Sequence, residues 1–242
     1  MTGVALTDVC IEYGEVRAVD RLTLTAPGGR VLGMLGGNGA GKSSTLRAIG
    51  GVNAHTSGSL LVSGFDLSTP AGAEAARAVV GYCPDTGGLV AQATPQEHID
   101  LVLALRGATA QRERAAGLLE RFGLVEVRDR PAGTFSHGMQ RRLSVLLAVL
   151  TAREALVLDE PFDGVDPTGV EVTIAAVREA AAAGMSVLVS THLQSLLTRA
   201  CDDIAVLVRG RRVAGGSVAD FSGESGERRY AELLVGHQEV AA

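Results

Sequence analysis

The sequence predicts an α/β fold with two additions, an antiparallel β portion at its N-terminal side and a mainly helical insertion in its middle. Three observations carry that expectation. Residues 1–65 read as short β-rich runs punctuated by Gly and Asn. Residues 85–152 carry helix-start signals and helical periodicity. From residue 155 onward, short apolar runs alternate with helical stretches, the pattern of βαβ units around a parallel sheet.

Taken in order, strands are expected over residues 4–13, 22–26, 31–35 and 58–62. A short helix begins inside a glycine-rich run and continues through residues 44–49, and residues 79–83 read as a further strand. Thr94-Pro95-Gln96-Glu97 then supplies an N-cap, a proline at the first helical position and a capping-box carboxylate. A helix over residues 99–105 follows, with others over 111–122 and 137–150. Residues 156–158 and 186–189 have the continuous apolar character of buried parallel strands. Helical connections fit 175–183 and 193–201, a small hairpin fits 204–208 with 211–213, and the polar tail from residue 223 holds one helix near 229–235. The expected division is one domain over residues 1–242. Its α/β core comes from 1–84 and 153–220, its helical subdomain from 85–152, and its C-terminal tail from 221–242.

Composition narrows the function classes. With 46% apolar and 20% charged residues, the chain reads as a globular protein. A formal net charge of −5 lacks the basic excess of a general nucleic-acid binder, so no nucleic-acid partner is expected. Cys10, Cys83 and Cys201 are scattered and odd in number, which fits a reducing compartment rather than a disulfide framework or zinc site. The first residues lack the basic and apolar regions of a secretory leader. The longest mostly apolar run, residues 143–150, falls far short of the ~20 residues that cross a bilayer. A soluble, cytosolic chain is the expectation.

One count points to chemistry. Of 22 Lys and Arg residues, the only lysine is Lys42. It lies in Gly36-Gly37-Asn38-Gly39-Ala40-Gly41-Lys42-Ser43, a full match to G-x-x-x-x-G-K-[ST]. The glycines let successive backbone N–H groups turn toward phosphate oxygens, and the helix that follows through Ser44 adds its positive end. Lys42 would neutralise phosphate charge, and the Ser43 hydroxyl is a ligand type for Mg²⁺. A second candidate is Asp159-Glu160, at the end of the apolar run 155–158. Asp159 would hold Mg²⁺ through water, and Glu160 would polarise an attacking water as general base.

Phe135-Ser136-His137-Gly138-Met139-Gln140-Arg141-Arg142-Leu143 resembles the signature of ABC proteins, ordinarily written L-S-G-G-Q, with Gln140 standing 19 residues before Asp159. Gly164-Val165-Asp166-Pro167 resembles the D-loop of that family, and Ser190-Thr191-His192 its switch-histidine loop. In its order of motifs the chain is similar to the ATP-binding subunit of ABC transporters, and its Gly138-Met139 pair resembles the branch that exports drugs or polysaccharides. The resemblance implies a P-loop NTPase cassette with a RecA-like core, and ATP with Mg²⁺ as cofactors. It implies that His192 contacts the γ-phosphate and that Tyr13 stacks on adenine, although Tyr13 also reads as a packed strand aromatic. It further implies that Ser136, His137, Gly138, Met139, Gln140 and Asp166 act on nucleotide held by a second cassette. Ser136 reads independently as an N-cap, with Gly138 allowing close backbone approach. The implied partners are a separate transmembrane permease and a second cassette, in a homodimer or in a heterodimer with a related chain. The implied location is the cytoplasmic face of the cell membrane.

Three departures qualify the resemblance. Asp85 stands where the family usually carries glutamine, so it either senses the metal through a bridging water or is a solvated loop carboxylate. His137 and Met139 replace residues of L-S-G-G-Q, and Gly37 replaces a common proline. Two other readings stay open: a soluble ABC ATPase outside transport, and a regulatory nucleotide-binding subunit with little catalysis. His55, His98 and His237 have no partners at metal-ligand spacing.

Overall fold

The computed structural model describes residues 3–236, so His237 lies outside the described residues. A hairpin of β1 (Gly3–Tyr13) and β2 (Val16–Pro27) opens the chain, and β3 (Val31–Leu35) runs through residues 36–41 into α1 (Lys42–Ile49). Next come β4 (Ser57–Val62), β5 (Phe65–Asp66), α2 (Pro70–Val79) and β6 (Val80–Cys83). Three helices follow, α3 (Pro95–Leu105), α4 (Arg112–Arg121) and α5 (His137–Thr151). The rest alternates: β7 (Ala155–Asp159), α6 (Pro167–Ala182), β8 (Ser186–Thr191), α7 (Gln194–Ala200), β9 (Asp203–Val208), β10 (Arg211–Ser217) and α8 (Gly223–Gly236).

Two sheets result. The antiparallel one has the order β2-β1-β4-β5, and the other has the order β10-β9-β3-β8-β7-β6. In the larger sheet β9, β3, β8, β7 and β6 pair in parallel, while β10 joins β9 antiparallel. Every residue of β3, β7 and β8 is buried, which explains the apolar runs at their centres. Their period of two still sorts side chains between two cores. Leu32, Met34, Val157 and Leu188 pack with the antiparallel sheet and α1. Val31, Leu35, Leu156, Leu158, Val187 and Val189 pack with α5, α6 and α7. Each such buried side chain contributes about 1.5–3 kcal/mol of transfer free energy, so the central strands anchor both layers.

Several extents differ from the sequence reading. α2 was not expected, yet Thr69 caps it by accepting the Gly72 N–H at 3.0 Å with Pro70 at the first turn, the same grammar as Thr94-Pro95. α6 starts at Pro167 rather than residue 175, because the Asp166 carboxylate accepts the Gly169 N–H at 2.7 Å and caps it. β2 and β10 extend beyond the expected strands, since hairpin pairing with β1 and β9 carries along small and charged residues of low strand propensity. The capping box before α3 forms as expected, with Glu97 N–H donating to Thr94 and Thr94 N–H donating to Glu97.

Candidate functional site

At the C-terminal ends of β3, β7 and β8, where ligands bind in open parallel sheets, the candidate residues converge. The turn after β3 is built by glycine. Gly39 and Gly41 have φ of 76° and 94°, and a Cβ on Gly41 would lie 2.6 Å from the Ala18 carbonyl oxygen. That carries the chain tightly against β2 and opens α1 with its N–H groups facing out. Lys42 is the buried cation of the turn. Its ammonium donates to the Gly36 carbonyl at 2.6 Å and lies 3.4 Å from a Glu160 carboxylate oxygen. Residues 37–44 line a cavity of about 180 Å³ together with Asp85 and Glu160.

The acidic pair is set by strand register. Asp159 of β7 lies opposite Ser190 of β8, whose hydroxyl donates to Asp159 Oδ1 at 2.6 Å and accepts the Glu160 N–H at 3.0 Å. Glu160 takes φ of 47°, a strained conformation for a non-glycine residue, which turns its side chain back over the phosphate loop. Its second oxygen lies 3.2 Å from His192 Nδ1. Lys42, Glu160 and His192 thus form one chain of polar contacts. Asp159 is fully buried, and Oδ2 has no hydrogen-bond partner. Burial pushes its pKa up, the Ser190 hydroxyl bonded to Oδ1 and the nearby Ser43 hydroxyl offset part of that, and the charges of Asp85 and Glu160 push it up further.

That orphaned oxygen tests the fit of a divalent cation. A buried carboxylate oxygen without a donor, facing the Ser43 hydroxyl, is a hard-oxygen arrangement suited to Mg²⁺. Among the described residues no group of three or more His, Cys, Asp and Glu could hold a metal. A two-ligand site completed by phosphates and water matches how Mg²⁺ is usually held. The residues present fit the ion.

Other candidates lie farther out. Tyr13 ends β1 with 43% exposure, and its hydroxyl accepts a hydrogen bond from Asn53 at 2.8 Å. Ser136 caps α5, accepting the Met139 N–H at 3.3 Å. A Cβ on Gly138 would lie 2.3 Å from the Gly164 carbonyl oxygen, so the backbone of Gly164 and Val165 packs directly on the first turn of α5. His137 is half-exposed with Nε2 3.1 Å from Asp163, and Gln140 donates to the Ala132 carbonyl. Asp166 is engaged as the cap of α6. The signature residues therefore sit beside, not within, the cavity formed by the phosphate loop.

Asp85 lines that cavity, but its side chain pairs with Arg141 at 3.3 Å. Two residues outside the expected set shape the site: Arg141, within the signature run, and Ser190, which orients both acids. The available signals were a carboxylate in place of an amide at 85, which calls for a cation, and a hydroxyl two residues before His192.

A family model described as ABC transporter matches residues 19–163, more than half of the chain. The chain belongs to the ABC transporter family. This cassette is 35% identical over 84% of its length to the Nod factor export ATP-binding protein I of Ralstonia nicotianae, spanning 64% of that protein. It is 36% identical over 88% of its length to the daunorubicin/doxorubicin resistance ATP-binding protein DrrA of Streptomyces peucetius, spanning 65% of it. Similarity to the mouse ATP-binding cassette sub-family A member 7 is 35% identity over 90% of the chain, but the chain spans only 10% of that protein. Among solved structures, an ATP-binding subunit of an ABC transporter aligns with TM-score 0.88 and 29% identity, covering 96% of this chain and 100% of that one. The dimeric bacterial cassette MJ0796 aligns with TM-score 0.81 and 21% identity, covering 89% and 98%, which supports the fold alone. Cassettes of this family are ATPases, and the chain is one by membership.

Proposed function

We propose that this cassette is the ATP-hydrolysing subunit of an exporter whose membrane-spanning part is a separate permease. The observation that carries the reading is the convergence of Lys42, Glu160 and His192 over the phosphate loop, with Asp159 buried beside them. Backbone N–H groups of residues 37–43 would hold the β- and γ-phosphates, and Lys42 would neutralise their charge. Glu160 is the general base: it takes a proton from water aligned on the γ-phosphate, and its link to His192 fixes its orientation. Ser43 and Asp159 would hold Mg²⁺, and the ion would supply charge stabilisation for the transferred phosphoryl group. Asp85 is paired with Arg141 and, in this reading, is not a ligand of the ion.

Tyr13 presents its ring to solvent and would stack on adenine. Ser136, His137, Gly138, Met139, Gln140 and Asp166 would face nucleotide bound to a second cassette. One chain carries both halves of such a composite site, so a symmetric homodimer suffices, and a related cassette could replace one copy. Within each cassette, residues 85–152 would act as a lobe carrying the signature against a core from residues 1–84 and 153–220. Among the described residues no helix is long and apolar enough to cross a membrane. A permease on another chain and a place at the cytoplasmic face of the membrane belong to this reading as its partner and its location. Export rather than import is supported by the relatives named for Nod factor export and drug resistance.

The test is phosphate release by the purified chain from ATP, with Mg²⁺ and with EDTA, beside a Lys42→Ala variant. Release with Mg²⁺ that EDTA and Lys42→Ala both abolish is the expected result. Equal release by native and variant chains would place the hydrolysis elsewhere.

A further inference from the structure

Arg141 is an arginine buried to 3% side-chain exposure in the second turn of α5. One Nη donates to the Pro84 carbonyl at 2.7 Å and to the Asp159 carbonyl at 3.4 Å. The other donates to the Asp85 carbonyl and to Asp85 Oδ1, the latter at 3.3 Å, while Nε has no partner. Three segments meet at this one guanidinium: the signature helix, the loop after β6, and the acidic end of β7. Burying a cation is costly unless it is paired, and Asp85 is the only carboxylate within ion-pair distance among the described residues. A planar fork reaches three carbonyls and a carboxylate at once, which a lysine ammonium on a flexible stem does not reproduce.

The loop that Arg141 grips has no regular structure between β6 and α3, and Gly87 and Gly88 take φ of 78° and 81°. Its position is therefore fixed by what it is tied to rather than by its own backbone. Asp85 is the tie that faces two ways. It lines the cavity of residues 37–44 and Glu160, and it also lines the neighbouring cavity of His137, Gln140 and Arg141.

We propose that Arg141 is a positioning residue and Asp85 its obligate counter-charge, together latching the loop after β6 to the signature helix and to the peptide that carries Glu160. The proposal rests on the ATPase reading. On this view Asp85 acts on turnover through Arg141, and its negative charge is the property that matters.

The test compares Asp85→Glu with Asp85→Gln, side chains of equal length that differ in charge. ATP turnover, KM for ATP and the half-saturating Mg²⁺ concentration are measured for each. Glu should keep kcat within about threefold of native, while Gln should lower it about tenfold with KM and half-saturating Mg²⁺ changed less than about twofold. Gln equal to or better than Asp, or a shift of about tenfold or more in the Mg²⁺ requirement, would overturn the latch and make Asp85 a metal-side residue. Arg141→Lys, alone and with Asp85→Gln, closes a double-mutant cycle on the thermal midpoint of the nucleotide-free chain. Non-additive midpoint shifts support the latch and additive ones overturn it, even if Arg141→Lys slows turnover through its carbonyl contacts. A native chain without ATPase activity would sink the functional reading, and the midpoint cycle would still decide the latch.

Discussion

Asp159→Asn removes one charge and almost no volume from the end of β7, and its effect follows from the surroundings of that side chain. The carboxylate is fully buried, Ser190 donates to Oδ1 at 2.6 Å, and Oδ2 has no partner. Burial raises its pKa in the folded chain above the ordinary carboxylate value, so the folded state binds more protons than the unfolded one across that interval. The stability contributed by protonated Asp159 is fully present below the unfolded pKa and is lost as pH rises through the raised folded value. Above that raised folded value the metal-free chain carries a buried anion with no ion-pair partner among the described residues. Asparagine lifts that cost, a gain of about 1–3 kcal/mol by the usual penalty for an unsatisfied buried group. For a chain of this size, about 2–4 °C per kcal/mol makes the expected rise in melting midpoint about 2–12 °C. The assay is thermal unfolding followed by circular dichroism from pH 5 to 8, in EDTA and again with Mg²⁺ and ADP. Native protein should lose stability with rising pH in EDTA and recover it with Mg²⁺ and ADP, whereas the variant should be flatter with pH, more stable in EDTA and little helped by Mg²⁺. A variant less stable than native in EDTA, yet stabilised by Mg²⁺ and ADP as much as native, would refute the reasoning.

Three further outcomes follow from geometry. Tyr13→Ala should weaken ATP binding roughly tenfold in calorimetric titration while Tyr13→Phe, which loses only the Asn53 contact, should bind as native does; equal affinity for all three would make Tyr13 a strand residue. Gly33→Ala puts a Cβ 2.9 Å from Cys201 Sγ and 3.0 Å from Leu197, between β3 and α7. It should cost about 1–3 kcal/mol of stability, read from the urea midpoint, and an unchanged midpoint would contradict the packing described. Gly138→Ala would drive a Cβ to 2.3 Å from the Gly164 carbonyl oxygen and displace residues 164–166. Turnover should fall roughly 100-fold. ATP affinity should hold, since the phosphate loop is untouched, and normal turnover would show that this contact is not part of the working site.

Much of the architecture was legible because its signals are local. Continuous apolar runs announced β3, β7 and β8, whose two faces are both buried. Thr94-Pro95-Gln96-Glu97 announced α3 by its capping chemistry alone. The turn between β3 and α1 was legible as a glycine-built loop, with Gly39 and Gly41 at left-handed positions and the one lysine opening the helix. What escaped was relational. Ser190 matters because strand register sets it opposite Asp159, and a sequence does not print register. Arg141 matters because a helix and a loop 56 residues apart in the chain meet at its guanidinium. Asp85 could be seen as a departure, but its partner could not be seen without the fold. α2 is a different kind of miss, because Thr69 and Pro70 carried the same start signal as α3 and went unread.

The most direct test of the account is the oligomeric state of Glu160→Gln with ATP, measured by size-exclusion chromatography with light scattering alongside phosphate release. The substitution replaces a carboxylate by an amide of equal size and, in the proposed reading, removes the proton acceptor. The account predicts a dimer with ATP, a monomer with ADP, and phosphate release lowered by at least about 100-fold. A chain that stays monomeric with ATP and hydrolyses it at the native rate would contradict the role of Glu160 and the two-cassette site together.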